Sequence, residues 1–380
     1  MTMNFLITEF TGLGNFLQKT PLIRAIKAQH PNWRVFLIGD NRWGGLELVR
    51  DSELVDDTLD LSRLLGTSQK NENKIRTLED QYRVLERDKK QKILTWLEST
   101  KFDYALQSYA DDVPSEISRL LLTFNSGVLV RHIEWEGLKT RSRWGLAKKL
   151  KYAKKKEILV PHLRGHHEID GNFDLLQAIV DTPVQRQYDC FVAKEGNKSV
   201  VDRFNLTNTK YVCIQPGAAS GLDTPKRWAV EKFIELCTRL YQQENITPVL
   251  IGDQGDLKNT IEKVIWPPYV VNTAGVTSLD ELVGLMKGAD SVVAHDSGIM
   301  HIANALDIPL IALYGPTDFS RTRPLGRRSK IIFSKTEYLG IMFASNLSEK
   351  KLAEQIPYGD AMAGITVDQV FSALLQIGQG

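Results

Sequence analysis

The chain has 380 residues, 42% of them hydrophobic and 25% charged, with a formal net charge of +2. That length exceeds the roughly 100–200 residues of a usual domain, so two domains are expected. The balance of apolar and charged residues excludes a disordered chain, and the near-zero net charge excludes bulk nucleic-acid binding, leaving any electrostatic signal local.

The opening run, MNFLITEF, is apolar and strand-like; no basic segment precedes it and Glu9 interrupts it, so it reads as a strand and not as a signal peptide. Gly12 and Gly14 punctuate the turn that follows, FLQKTPLIRAIKAQH has helical spacing, and RVFLIGD returns as a strand. Strand, glycine turn, helix, strand is a βαβ unit with parallel pairing. From about 65 to 100 the chain is highly charged with helical rhythm (Leu78, Tyr82, Leu85, then Ile93, Leu94, Leu97), which predicts a solvated helical excursion. FDYALQSYADD resumes as a strand ending in Asp111 and Asp112.

Between Lys139 and Lys156 there are nine Lys or Arg and no acid, with Trp144, Leu146, Leu150 and Tyr152 interleaved. Two readings stay open for this stretch: a solvated helix face, or a surface that meets anionic membrane or an acidic acceptor. HHEIDGNFDLLQAIV has helical spacing, and the polar, turn-rich residues after it read as a linker. The boundary is therefore expected near residue 195, with domains at 1–190 and 195–365.

The second half alternates more legibly. KYVCIQPG, ITPVLIGD, DSVVAH and IPLIALYG are strands; WAVEKFIELCTRLYQQ, SLDELVGLMKGA and MHIANAL are helices, the second opened by Ser278 with Glu281 three residues on, a capping box. Such alternation predicts a doubly wound parallel sheet with ligands at the carboxyl ends of its strands. The three cysteines, Cys190, Cys213 and Cys237, lack CxxC spacing and read as buried thiols of a cytoplasmic protein. No apolar run approaches the roughly 20 residues of a membrane-spanning helix.

Four strand ends carry glycine with polar residues. They are PGAASGLDTPKRW, with Gly217, Ser220 and Lys226; GDQGD, with Gly252 and Asp253; HDSGIMH, with Asp296, Ser297, Gly298 and His301; and GPTD, with Gly315 and Thr317. Glycine lets backbone approach a ligand, a helix start offers unpaired N–H groups to an anion, and Ser297 and His301, four apart, share one helix face. A phosphate-bearing ligand is the economical explanation, beside the plainer one of a capped helix with a buried core histidine.

These segments, with HDSGIMHIANALDIPLIALYGPTD and the trailing RPLG, resemble the family 9 glycosyltransferases, the heptosyltransferase family of lipopolysaccharide core synthesis; FTGLGNFLQKTPLIRAIKAQHPNWRVFLIGD looks like that family's first βαβ unit. The resemblance implies a GT-B fold, two Rossmann-like doubly wound domains facing across a cleft, and inverting transfer of a sugar from an ADP- or other nucleotide-activated donor to a glycan or lipid-linked hydroxyl. It implies an acceptor-binding first domain, a donor-binding second domain, and a final helix at 366–380 packing back toward the first. Ser220, Lys226, Ser297, Gly298 and His301 would contact the diphosphate, with Gly252, Asp253 and Asp296 near the nucleoside. No carboxylate cluster with Mg or Mn spacing is visible, so no metal cofactor is expected.

One position departs from the pattern. The family usually carries an acid after the glycine of its first loop, taken as the base, whereas Asn15 follows Gly14 here, and an amide cannot accept the acceptor's proton. Asp111 and Asp112 are the expected replacements, and Glu9 the next. Asn15 also favours an alternative: a non-catalytic GT-B protein that binds a nucleotide sugar or an acceptor polypeptide. A nucleotide-sugar epimerase is less well matched, and a dehydrogenase least, since TGLGNFL lacks the third glycine of GxGxxG.

Overall fold

The structure, a computed structural model, describes residues 2–65, 87–109, 111, 113–114, 117–118, 120–121, 127–134, 157–163, 165–218, 224–344 and 349–378. The chain divides into two units, Met1–Ala193 and Lys194–Gly380, the division falling in the polar stretch after the helix that ends at Gln177.

In the first unit six strands, β1 (Asn4–Glu9), β2 (Arg34–Gly39), β3 (Asp57–Asp60), β4 (Tyr104–Gln107), β5 (Val128–Glu134) and β6 (Glu157–His162), form one parallel sheet. Their order is β3-β2-β1-β4-β5-β6, so the direction of winding reverses between β1 and β4. Phe5, Leu6 and Ile7 of β1 are all buried, which is what a strand covered on both faces requires. β1 pairs with β2 from Asn4 opposite Arg34 to Glu9 opposite Gly39. A Cβ at Gly39 would lie 2.1 Å from the Glu9 carbonyl oxygen, so glycine alone permits that close end to the pairing.

The helical stretch after β1 is broken into α1 (Leu13–Leu17) and α2 (Thr20–Gln29). Lys19, at the break, turns inward instead of continuing the polar face. The charged excursion is helical over α3 (Arg87–Thr100), which buries Ile93 and Leu97 against Phe36, Phe102 and Leu121 and leaves most of its other side chains to solvent; residues 66–86 lie outside the described residues. β4 is shorter than its sequence suggests. It stops at Gln107, because Ser108 accepts the Asp111 backbone N–H at 3.2 Å and bends the chain, so Asp111 lies beyond the strand and not at its tip. α4 (Glu168–Gln177) completes the layer, packed on α2.

The second unit repeats the plan with β7 (Tyr211–Ile214), β8 (Thr247–Leu250), β9 (Val271–Asn272), β10 (Ser291–His295), β11 (Leu310–Tyr314) and β12 (Ser329–Phe333), ordered β12-β11-β10-β7-β8-β9 and parallel throughout. Winding reverses between β7 and β10, paired from Val212 opposite Ser291 to Ile214 opposite Val293. The intervening helices are α5 (Val230–Glu244), α6 (Gln254–Asn259), α7 (Leu279–Lys287) and α8 (Gly298–Ala305). The capping box predicted from Ser278 and Glu281 is present on α7. Trp228, fully buried, anchors the core and donates its indole N–H to the Ile365 carbonyl at 3.0 Å.

The last helix, α9 (Val367–Ile377), buries Val367, Val370, Phe371 and Leu374 with Leu236 and Leu240 of α5. These side chains are part of the core of the second unit, and each one withdrawn from water contributes about 1.5–3 kcal/mol. All three cysteines are buried. Among the described residues no helix is long and apolar enough to cross a membrane.

Candidate active site

Three strand ends of the second unit are tied by one polar chain. Past β7, Gln215 accepts a hydrogen bond from the Ser297 hydroxyl at 2.6 Å, and its amide approaches an Asp256 carboxylate oxygen at 3.4 Å. Asp256 accepts from the backbone N–H of Asp253 and donates its own N–H to the Asp253 carboxylate, the capping box of α6. The ends of β7, β8 and β10 are therefore held at fixed spacing. Gly217 and Gly252 are required by the same packing, since a Cβ at either would meet Asp256 at 1.9 and 2.7 Å. Burial first, and then the Asp253 carboxylate, push Asp256 up to about 6.

Ser297 is the N-cap of α8, yet its hydroxyl is spent on Gln215 and makes no cap bond. The first-turn amides of Gly298, Ile299 and Met300 thus receive no cap from it and form the positive end of the helix dipole. Asp296, beside them, is 3.5 Å from the hydroxyl of buried Tyr314. His301 lies on the same helix but is only 3% exposed. Gly315 and Thr317 follow β11; a Cβ at Gly315 would meet the Met362 sulfur at 2.2 Å, and Thr317 is buried. These two are packed residues at the rim of the set. Lys226 is partly buried, one residue before the doubly tied Arg227–Trp228 segment. Ser220, expected in the same loop, lies outside the described residues.

His295, passed over in the sequence in favour of His301, ends β10 and is fully buried. Its Nε2 accepts the Trp228 backbone N–H at 3.0 Å and its Nδ1 lies 2.9 Å from the Gly217 carbonyl. Burial first, and the Arg227 and Lys226 charges with it, hold the ring neutral and its pKa down to about 4, against the Gly217 bond.

In the first unit the predicted residues part company. Gly14 and Asn15 sit in α1, both partly exposed. Asp111 does not open onto a loop surface: its carboxylate is fully buried and takes the Lys19 ammonium at 2.8 Å, the Thr8 hydroxyl at 2.7 Å and the Phe10 N–H at 2.9 Å. With its lone pairs so occupied it is built as a structural anion. Asp112 lies outside the described residues. Lys19 completes its three donor positions with Glu9 at 3.0 Å and the Thr8 carbonyl at 2.9 Å. Burial lowers Lys19, but the Asp111 and Glu9 carboxylates outweigh it and raise its pKa.

Glu9 has the opposite balance. Burial, only partly offset by Lys19 and reinforced by Asp111, pushes it up to about 7. One cation serves two carboxylates, so a proton on Glu9 relieves the excess charge. The Thr11 hydroxyl lies 3.0 and 3.2 Å from the two Glu9 oxygens, within reach to donate to that carboxylate, and Gly12, next to it, is exposed. No sequence signal marks Lys19, which looks like any surface lysine of a helix. Farther along the sheet His132 accepts from the Tyr109 N–H at 2.8 Å and pairs with the Gly171 carbonyl at 2.9 Å; burial and then His162 lower its pKa to about 4. Among the described residues no group of three or more His, Cys, Asp or Glu is arranged to hold a metal ion.

The model of glycosyltransferase family 9 (heptosyltransferase) matches residues 123–352, more than half of the chain. Over 174 residues the chain is 33% identical to lipopolysaccharide heptosyltransferase 2 of Salmonella typhimurium, a match covering 43% of this chain and 48% of that protein. Over 237 residues it is 29% identical to the Escherichia coli protein of the same name, covering 60% and 65% respectively. The matched stretches thus span about half and somewhat under two thirds of those relatives. The solved ADP-heptose lipopolysaccharide heptosyltransferase II of E. coli superposes with a TM-score of 0.68 at 20% identity over 99% of both chains, a likeness that shows the fold, GT-B with two Rossmann-like units. The alternating elements, the four glycine-bearing strand ends and the family match agree, and the chain belongs to glycosyltransferase family 9, the heptosyltransferase family.

Proposed function

We propose that the protein is an inverting glycosyltransferase that moves a heptose-like sugar from an ADP- or other nucleotide-activated donor to a hydroxyl of a lipopolysaccharide-type glycan or lipid-linked acceptor. The observation that carries this reading is the Ser297–Gln215–Asp256 chain, which fixes three strand ends around a helix start whose Ser297 hydroxyl is diverted from capping. A helix N-terminus of this kind attracts a phosphate, and Lys226, in the loop after β7, would add a full charge. Together they would offset the negative charge that grows on the leaving diphosphate. Asp253 and Asp296 border this set and suit the donor's nucleoside.

The acceptor's proton needs a destination as the new C–O bond forms. Asp111 is saturated by Lys19, Thr8 and Phe10, so we assign the proton to Glu9, whose pKa near 7 matches the task. Glu9 is 2% exposed. Thr11 would pass the proton on, taking the acceptor's while giving its own to the Glu9 carboxylate. Asn15 would then bind the sugar or the acceptor by hydrogen bonds. In this reading the first unit holds the acceptor, the second the donor, and the enzyme works in the cytoplasm at the inner face of the membrane, with 139–156, outside the described residues, as the candidate membrane contact.

The test is a transfer assay with purified protein, a panel of nucleotide sugars including ADP-heptose, and a heptose-free lipopolysaccharide core as acceptor, read by mass spectrometry. A product one sugar heavier is expected. Asn15 favours one other reading, a non-catalytic protein that only binds donor. Donor binding without turnover by the natural chain, with turnover gained by Asn15→Asp, would establish that reading instead.

A further inference from the structure

We propose that His295 is a positioning residue for donor transfer: its imidazole staples the two ends of the Gly217–Trp228 segment, and so sets where Lys226 stands against the donor's diphosphate. The inference rests on the donor-binding role given to the second unit.

Gly217 and Trp228 are described residues on either side of Lys226, which lies two residues before Trp228. His295 touches both, accepting the Trp228 N–H with Nε2 at 3.0 Å and lying with Nδ1 2.9 Å from the Gly217 carbonyl. The two contacts require one tautomer. An Nε2 that accepts carries no proton, so the neutral ring holds its proton on Nδ1, where it donates to Gly217. The ring is fully buried and packs edge-on against Phe233, with ring centroids 5.5 Å apart.

Chain connectivity gives this staple its consequence. Asp296, Ser297 and Gly298 follow His295 directly, and Gly298 opens α8. One side chain therefore fixes the lysine-bearing segment to the strand that delivers the helix N-terminus. The two sources of positive charge proposed for the diphosphate are registered against each other through a ring that carries no charge itself. An alkyl side chain of similar volume would fill the space and lose the register. Glutamine, with one amide donor and one acceptor, would restore part of it.

The experiment compares wild type, His295→Leu and His295→Gln by calorimetric titration with ADP, UDP and GDP and with adenosine, uridine and guanosine. Thermal melting monitors the fold. His295→Leu is expected to lose about 10- to 100-fold in affinity for the diphosphate, the size of one or two lost charge-assisted contacts, with nucleoside affinity within about twofold of wild type. His295→Gln should fall between. Equal losses for both ligands, or none for either, would overturn the proposal. Should His295→Leu fail to fold, nitrogen NMR of the wild-type ring decides. A neutral Nδ1-protonated ring whose signal moves with the diphosphate and not with the nucleoside supports the staple; the other tautomer, or no response, overturns it. Wild type that binds no nucleoside diphosphate would overturn the donor reading and this inference together, whereas intact diphosphate binding by folded His295→Leu removes the inference alone.

Discussion

The Lys19 ammonium lies 2.8 Å from the Asp111 carboxylate, with both side chains withdrawn from water, and this pair sits where the first sheet reverses its winding. Asp111→Asn keeps the size and removes the charge, leaving Lys19 with Glu9 alone. Lys19 keeps the Glu9 carboxylate, but an amide at 111 cannot accept from Lys19, Thr8 and the Phe10 N–H together and leaves buried donors unmatched, which costs about 1–3 kcal/mol. Urea denaturation should therefore show a fall in midpoint, while Lys27→Gln, which removes one of the several donors on the more exposed Asp56 carboxylate, costs about 1 kcal/mol or less. An Asp111→Asn midpoint equal to wild type would remove Asp111 from its structural role and return it to the candidates for the base.

Glu9 makes a second prediction, on turnover. Glu9→Gln keeps the Thr11 and Lys19 neighbours but cannot take a proton, so donor affinity should persist while kcat falls by roughly 10²- to 10⁴-fold. Asp112→Asn is the comparison. If it, and not Glu9→Gln, abolishes turnover, the base is Asp112.

The same residue ties stability to pH. Folded Glu9 keeps its proton up to about 7, whereas the unfolded chain releases it near 4.5. Between those values the folded state binds more protons, so this contribution is complete below 4.5 and is lost as pH rises to 7, a change on the order of 3 kcal/mol. Unfolding midpoints of wild type and Glu9→Gln measured from pH 4.5 to 7.5 should diverge, with the variant's profile flatter through that window. Parallel profiles would mean that Glu9 is ionised throughout.

Lys226→Ala should weaken donor use by roughly 10- to 150-fold, the loss of a charge-assisted contact to phosphate, while the melting temperature holds. His301→Ala should weaken it too, with some loss of stability because the ring is buried. Unchanged kinetics in both variants would take the donor away from these loops.

Gly217→Ala tests the polar chain directly. The new methyl would stand 1.9 Å from an Asp256 oxygen, so either the loop or the α6 capping box must shift. Overpacking of this sort costs about 1–3 kcal/mol, and donor affinity should fall with it. A variant with wild-type melting and wild-type affinity would show that the Asp256 contact is not what holds the strand ends.

The strand and helix alternation, the Ser278–Glu281 capping box, the glycine-bearing strand ends and the family itself were legible in the sequence, because each is written in neighbouring residues: apolar periodicity, a cap and its partner three positions on, a glycine after a strand. What Lys19, Asp111 and His295 do was not. Lys19 reads as one more polar residue of a helix until β1 and β4 are paired and Asp111 is brought to it. Asp111 reads as a strand tip until the Ser108 turn folds it inward. His295 and His301 stand in one short motif, and only the depth of β10 decides that His295 is the neutral bridge between Gly217 and Trp228. The core that receives the apolar face of α9 is formed with α5, far away in the chain. Periodicity is local and survives in one dimension; a charge's solvation and a ring's hydrogen-bond partners depend on which distant backbone groups the packed sheet places within about 3 Å, and no run of neighbouring residues contains that distance.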